Sequence, residues 1–505
     1  MRKGIEKRAG AMVCAALLAG LAGCLPGPKY RAPKAPVATA PAYKESTVHF
    51  ENAPGWKVAS PQDAMLRGNW WEIYHAPELN SLEAQLNINN QNIKISFENY
   101  MAARAQVREA RAQYWPTVTM GPSWSRSRSS GNLRNSATAN TGSQSTSWSF
   151  PFDISWTPDF FGKIGHEVRS AEYGAQVSAS DLANERLLEQ ASLAEFYFEL
   201  RGQGALQKIL NDTVDADKKS LELTQTLYKT GVGDYIAVIQ ARTTLKSAES
   251  AALNVGVNRA LYEHAIAMLI GKPATDFSLA VQPELAEPPP IPVGVPSELL
   301  ERRPDVAGAE RTLAEANATI GIGYGAFFPA VTLSAAGGFQ ASSLTHWFDW
   351  PSRFWSIGPS LSQTIFNGGL YRAQLQQYTA IYNADVATYR QTVLTAFQQV
   401  EDYLAATRIL SQQTLKQQEA VDSAKEYLTL EMSRYQTGID PYIDVMVAQT
   451  TLLADQQTLT TLHMQQMTAS IELVQALGGG WDRGQLPTPA QVSEKAPKGS
   501  YVLEH

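Results

Sequence analysis

The 505-residue sequence is nearly without cysteine: its two thiols, Cys14 and Cys24, both fall in the first 24 residues. That excludes a disulfide framework and a thiolate metal cluster from the body of the chain. Charge is scarce as well. Asp, Glu, Lys and Arg make up 18% of the residues, below the roughly 25% usual for soluble proteins. The formal net charge of −6 offers no basic surplus for nucleic acid. Beyond the N-terminus no apolar run reaches the about 18 residues that a membrane-spanning helix requires. The seven histidines (49, 75, 166, 264, 346, 463 and 505) are never four apart, so no helical metal pair exists. No cofactor and no catalytic constellation emerges. Proline, too, vanishes over two long intervals, from Pro158 to Pro273 and from Pro359 to Pro441.

What is present begins with an export signal. Arg2, Lys3, Lys7 and Arg8 precede a short apolar segment, Ala11 to Gly20, too short to cross a bilayer. It ends in Leu21-Ala22-Gly23-Cys24, which resembles the site cut by the lipoprotein signal peptidase. Residues 1–23 are therefore expected to be removed and Cys24 to carry a covalent lipid. Leu25 stands where an aspartate would resemble an inner-membrane retention signal, which favours the outer membrane. Residues 24–64, rich in Pro and Ala, read as a lipidated, extended tether.

The body is a duplicated unit. At an offset of 207, ten of eighteen positions are identical between 228–245 and 435–452, and Gly271 falls on Gly478. Upstream, Tyr114-Trp115-Pro116 matches Phe327-Phe328-Pro329. Two units result, 65–281 and 298–480, joined by a Pro-rich linker at 282–297 and followed by a tail at 481–505. Each unit reads as a helix, two strands (117–157 and 330–366) and a long helical hairpin. The hairpin turns are placed at Gly231 and Gly438, where glycine suits a left-handed position after a helix. Asp440-Pro441 is expected to open the following helix as N-cap and N1. Val386, Val393 and Val400 recur every seven residues, the seam of packed, supercoiled helices. A helix over 166–229 would be close to 96 Å long, a length that suits a tube and not a globular core.

The strands bear on the membrane. In 147–156, Trp148, Phe150, Phe152, Ile154 and Trp156 alternate with Ser147, Ser149, Pro151, Asp153 and Ser155. In 354–362, Trp355, Ile357, Pro359 and Leu361 alternate with Phe354, Ser356, Gly358, Ser360 and Ser362. Seven of the eleven tryptophans lie within 115–156 and 347–355, as an aromatic girdle would place them. These are features of transmembrane β-strands. Four strands cannot close a barrel, and lipid does not tolerate open edges, so the chain must oligomerise. Two copies give eight strands and three give twelve; the strand count leaves both open.

The chain resembles the TolC-type outer-membrane efflux family, specifically its lipoprotein branch serving resistance–nodulation–division pumps. The resemblance rests on Leu300-Glu301-Arg302-Arg303-Pro304-Asp305-Val306, Ala309-Glu310, Ala316-Asn317-Ala318, Ile320-Gly321 and Phe328-Pro329, with Gly68-Asn69-Trp70-Trp71 and Pro77-Glu78-Leu79 upstream. It implies an α+β membrane protein: a homotrimer with a twelve-stranded outer-membrane β-barrel continued by an α-helical coiled-coil barrel through the periplasm. It also implies docking to a periplasmic adaptor and an inner-membrane transporter, with small toxic compounds in transit. The alternatives are a protein-secretion exit duct, against which the lipid site and the Arg-Arg-Pro-Asp segment speak, and a static trimeric scaffold or adhesin, which has no need of bendable tips.

By resemblance, the second hairpin carries the periplasmic gate. Asp444 matches a ring aspartate of the family, Ile443 sits where a bulky apolar residue closes the aperture, and Arg434 and Asp440 are candidates for the ion pairs that hold it. A second ring aspartate of the family is Val447 here. Arg302 and Arg303 are expected to be scaffolding. Gly321-Ile322-Gly323-Tyr324-Gly325 has the wrong order and spacing for a nucleotide loop and reads as small residues that allow helix and strand to pack closely.

Overall fold

The computed structural model describes residues 27–32, 43–45, 68–130, 144–283, 285–291 and 299–494. Cys24, the signal segment and parts of the tether, linker and C-terminal tail lie outside the described residues. The duplication is visible in the lengths alone. The first unit runs α1 (Pro77–Asn89), α2 (Gln91–Ala112), β1 (Thr117–Met120), β2 (Ser123–Arg128), β3 (Gln144–Trp156), α3 (Lys163–Lys229) and α4 (Tyr235–Leu269). The second runs α5 (Leu299–Arg302), α6 (Pro304–Gly325), β4 (Ala330–Ala341), β5 (Arg353–Ser362), α7 (Leu370–Gln436) and α8 (Tyr442–Ala476), with the short α9 (Pro489–Val492) after it. Helices α2 and α6 both have 22 residues, α3 and α7 both 67, and α4 and α8 both 35.

A 67-residue helix is about 100 Å long. The shorter pair α2 and α4, laid end to end, run alongside most of α3. Packing follows the sequence pattern: Tyr389, Val393, Ala396 and Val400 are buried on one face of α7, with Val386 packed against the same seam. The largest apolar cluster sits halfway along the tube. It joins Trp70, Trp71, Leu79 and Leu86 to Leu193, Tyr197 and Leu200 of α3, Ile266 of α4, and Ile471 and Val474 of α8. Arg303 supports this equator. Its guanidinium grips Asp305 (3.0 and 2.6 Å) and donates to Gln399 (2.9 Å) and to the Ala476 carbonyl (3.0 Å). The tether is held there too: the Tyr30 hydroxyl donates to Glu310 at 2.7 Å, and the Lys44 and Glu45 amides donate to Glu401 at 2.8 and 3.0 Å.

Five strands appear where four were expected, and the difference is local. Strands β1 and β2 both pair with β3 in one unbroken register, Met120 opposite Phe152 and Ser123 opposite Ser149. Pro122 has no N–H to give the ladder, so one strand is interrupted without a slip. The sheet order is β1/β2–β3–β4–β5, all antiparallel, with both ends open. The register puts Val118, Met120 and Trp124 beside Ile154, Phe152 and Trp148, then Ala335, Gly337 and Ala341, then Ile357 and Trp355. The opposite face collects Ser149, Asp153, Ser155, Ser334, Ser356 and Ser360. Apolar side chains on a largely exposed face belong in lipid.

The glycines of Gly321-Ile322-Gly323-Tyr324-Gly325 serve helix-on-helix contact, a correction to the helix-on-strand expectation. A Cβ on Gly321 would lie 2.4 Å from the His166 ring of α3, and one on Gly323 would lie 2.9 Å from Tyr378 of α7. Helix α6 thereby wedges between the two long helices.

Candidate functional site: the hairpin tip

The long helices turn back on themselves at two equivalent tips. Helix α3 ends at Thr230, Gly231 takes φ +77°, and the Gly231 and Val232 amides donate to Tyr228 and Leu227 carbonyls, both at 3.0 Å. Helix α7 ends at Thr437, Gly438 takes φ +75°, and the Gly438 and Ile439 amides donate to Tyr435 and Arg434 carbonyls at 3.0 and 2.9 Å. Both are glycine C-terminal caps, satisfying carbonyls the helix would leave orphaned. A tyrosine pair brackets each turn: Tyr228 and Tyr235 at 5.2 Å between ring centres, Tyr435 and Tyr442 at 5.3 Å.

The tips then diverge. In the first, Asp234 is an ordinary N-cap that accepts the Ile236 amide at 3.1 Å. In the second, Pro441 occupies the N-cap position and Asp440 does not cap, contrary to the sequence expectation. The Asp440 carboxylate is taken by Arg434, with one bond from Nε and another from Nη2 at 3.0 Å. Bidentate pairing explains the choice, because a charge-assisted fork is stronger than a neutral amide donor. The pair lies within one hairpin, six residues apart, so it braces the turn from inside. Arg434 holds Asp440 below the ordinary carboxylate range. Glu431, not singled out in the sequence, stands beside them; loss of solvent, then the Asp440 charge, raises its carboxyl.

Tyr435 and Tyr442 are buried against Ala237 and Ala241 of α4, whereas Tyr228 and Tyr235 are half exposed. Ile443 and Val447 remain open on one face of α8, with Asp444 in its first turn. The structure therefore gathers Arg434, Asp440, Ile443 and Asp444 at one tip.

Between the two hairpins lies a buried polar contact that sequence reading missed. Gln449 of α8 donates to the Ser220 hydroxyl of α3 at 3.0 Å, beside Asp217 and Tyr442. Burial pushes Asp217 up to about 6 and Tyr442 up to about 12. Because the Asp217 pKa is raised in the packed state, this contact is fully favourable at low pH and weakens as pH rises through about 6. Hydrogen exchange of the second hairpin should thus quicken between about pH 4 and pH 6.5, and level off above, beyond the intrinsic base-catalysed rate. Asp217→Asn should flatten that excess; an unchanged slope would show that Asp217 does not couple the hairpins.

Comparison with known proteins fixes the family. A family described as outer membrane efflux protein matches residues 82–272 and 295–479, one match on each duplicated unit. The chain belongs to this family. It is 30% identical over 489 residues to the antibiotic efflux pump outer membrane protein ArpC of Pseudomonas putida, covering 95% of this chain and 97% of that one. The toluene efflux pump outer membrane protein TtgC of P. putida is 30% identical over 489 residues, with the same coverage of 95% and 97%. The fold matches the outer-membrane channel OprN with a TM-score of 0.80 at 26% identity, over 91% of this chain and 100% of that one. This protein is an outer-membrane channel of an efflux pump.

Proposed function

We propose that three copies form a passive duct whose helical tunnel crosses the periplasm and whose second hairpins close its inner end. The observation that carries the reading is one molecule combining an apolar band on an edge-open sheet with paired 100 Å helical hairpins. The sheet needs further copies to close, and twelve strands leave room for a lumen lined by the serine face. A periplasmic adaptor and an inner-membrane resistance–nodulation–division transporter supply docking and drive. The cargo class is small toxic compounds, in keeping with relatives named for antibiotic and toluene efflux. Selectivity lies in the transporter, since no described pocket offers convergent polar groups with an enclosed apolar wall.

Reconstitution with the cognate adaptor and transporter in an efflux-deficient strain should raise tolerance to apolar drugs and solvents several-fold. Secreted protein in the medium without any gain in tolerance would favour the protein-export duct. Absence of conductance in planar bilayers would favour a static scaffold.

The anchor is the second part of the reading. Mass spectrometry of the mature N-terminus should show lipid-modified Cys24, as Leu21-Ala22-Gly23-Cys24 motivates. An unmodified N-terminus at another residue would overturn it. Cys24→Ser should lose the lipid and keep the trimer in the membrane, because closed β-structure holds there without an anchor.

A further inference from the structure

The outward face of the sheet ends in arginine on one rim only. Arg126 and Arg128 continue the row of Met120 and Trp124, and pair in register with Thr146 and Gln144. They lie two and four residues beyond Trp124, whose ring meets that of Trp148 at a tilt with 5.8 Å between centres; Trp148 in turn meets Trp347 at 5.3 Å. Arg353 opens β5 opposite Phe339, on the same face, with its guanidinium 3.7 Å from the centre of the Trp350 ring. All three are exposed. Arg126 donates to the Gln144 amide oxygen at 3.3 Å, and none of the three has a carboxylate partner among the described residues. Asp349, an acid on this rim, is engaged by His346 at 2.7 Å. At the other rim the strand ends are Thr117, Trp156, Ala330 and Ser362, none of them basic.

Closure of the barrel brings these residues together. The free edges of one copy are β1/β2 and β5, so each seam joins β5 of one copy to β1/β2 of the next. Both edges carry their arginines at the loop end, the end away from the helical tunnel and hence the cell exterior. Below them the same two edges expose Val118, Met120 and Trp124 on one side and Trp355, Ile357 and Leu361 on the other. A cluster of three guanidiniums over a strip of apolar surface, at headgroup height, matches one chemistry: phosphates carried on acyl chains. Guanidinium forks suit phosphate oxygens, and basic clusters between membrane-spanning segments hold anionic headgroups.

We infer that each seam of the assembled barrel binds a phosphorylated glycolipid of the outer leaflet, its phosphates held by Arg126 and Arg128 of one copy and Arg353 of the next. The site rests on barrel closure and is independent of the gate. Native mass spectrometry of the detergent-purified protein, titrated with bisphosphorylated lipid A, reads oligomer mass and lipid binding separately. The wild type should take up one lipid per seam. The Arg126→Gln, Arg128→Gln, Arg353→Gln triple variant should keep the trimer mass and bind about 100-fold more weakly. Dephosphorylated lipid A should bind the wild type as weakly as lipid A binds the variant, and millimolar inorganic phosphate should not compete. Should the triple variant fail to assemble, Arg128→Gln and Arg353→Gln singly should each weaken binding about fivefold. Equal binding by wild type and variants, equal binding with and without phosphates, or displacement by inorganic phosphate would overturn the inference. A wild type that never forms a trimer would refute barrel closure itself.

Discussion

Replacing Phe152 with arginine should abolish the membrane-embedded assembly, while Ser149→Arg should leave it standing. Phe152 lies midway between Trp148 and Trp156 on the outward face, opposite Met120 on one side and Gly337 on the other. The two tryptophans are eight residues apart, about 27 Å along the strand. Tilted by about 35–45° as barrel strands are, that segment rises roughly 19–22 Å and so fits within an apolar band roughly 25 Å tall, which makes Phe152 the midplane residue and Trp148 part of the outer girdle. An arginine at the midplane costs about 2–4 kcal/mol in each copy. Repeated in every protomer, that approaches the about 5–15 kcal/mol that holds a folded protein together. Ser149 faces Ser123 and Gln340 on the polar side, where a charge meets water. Native mass spectrometry of membrane-extracted protein decides the matter. Equal loss of assembly in both variants would mean that the face assignment is wrong.

Why the fold was legible follows from its regularity. The strands' period of two and the seven-residue valine repeat are imposed by geometry on residues close in sequence, and the 207-residue offset is legible because one unit occurs twice. Both hairpin turns could be located because φ near +75° after a helix calls for glycine. The hairpin tip itself was harder. Asp440-Pro441 has the local signature of a cap, and only the structure shows Arg434 taking the carboxylate first. Asp217 and Gln449 lie on different hairpins, more than 200 residues apart in sequence, and no periodicity links them. The same holds for Tyr30 and Glu310, joined across 280 positions. Pro122 illustrates the reverse case. Its effect was local, yet it left the register intact because the ladder resumes in the same phase on its far side.

The second large effect is expected at the tip, where Arg434→Ala combined with Ile443→Ala should raise single-channel conductance several-fold in planar bilayers. Arg434 is the cation that Glu431, Asp440 and Asp444 share. Its loss leaves three acids per copy to repel one another at the proposed aperture, and frees the turn that its bond to Asp440 braces. Ile443 is still about half exposed in the single chain at 46%, a surface available for packing against its symmetry mates. In the proposed pump an adaptor would open this gate by binding the open form better, and could shift the equilibrium only by that difference. Weak, repeated contacts are therefore the right kind. The pH dependence of the turn itself has a definite sign: Glu431 is raised above its ordinary 4.5 by loss of solvent and then by Asp440, so the packed turn is favoured at low pH and weakens as Glu431 ionises. Glu431→Gln should remove that dependence. Asp444→Ala should reduce cation preference and relieve block by divalent cations added on the tip side, since a ring of like charges binds such ions at close quarters. If conductance, selectivity and block all stay at wild-type values, the constriction lies elsewhere along the tunnel. Asp444 is then no more than a first-turn acid stabilising the α8 dipole.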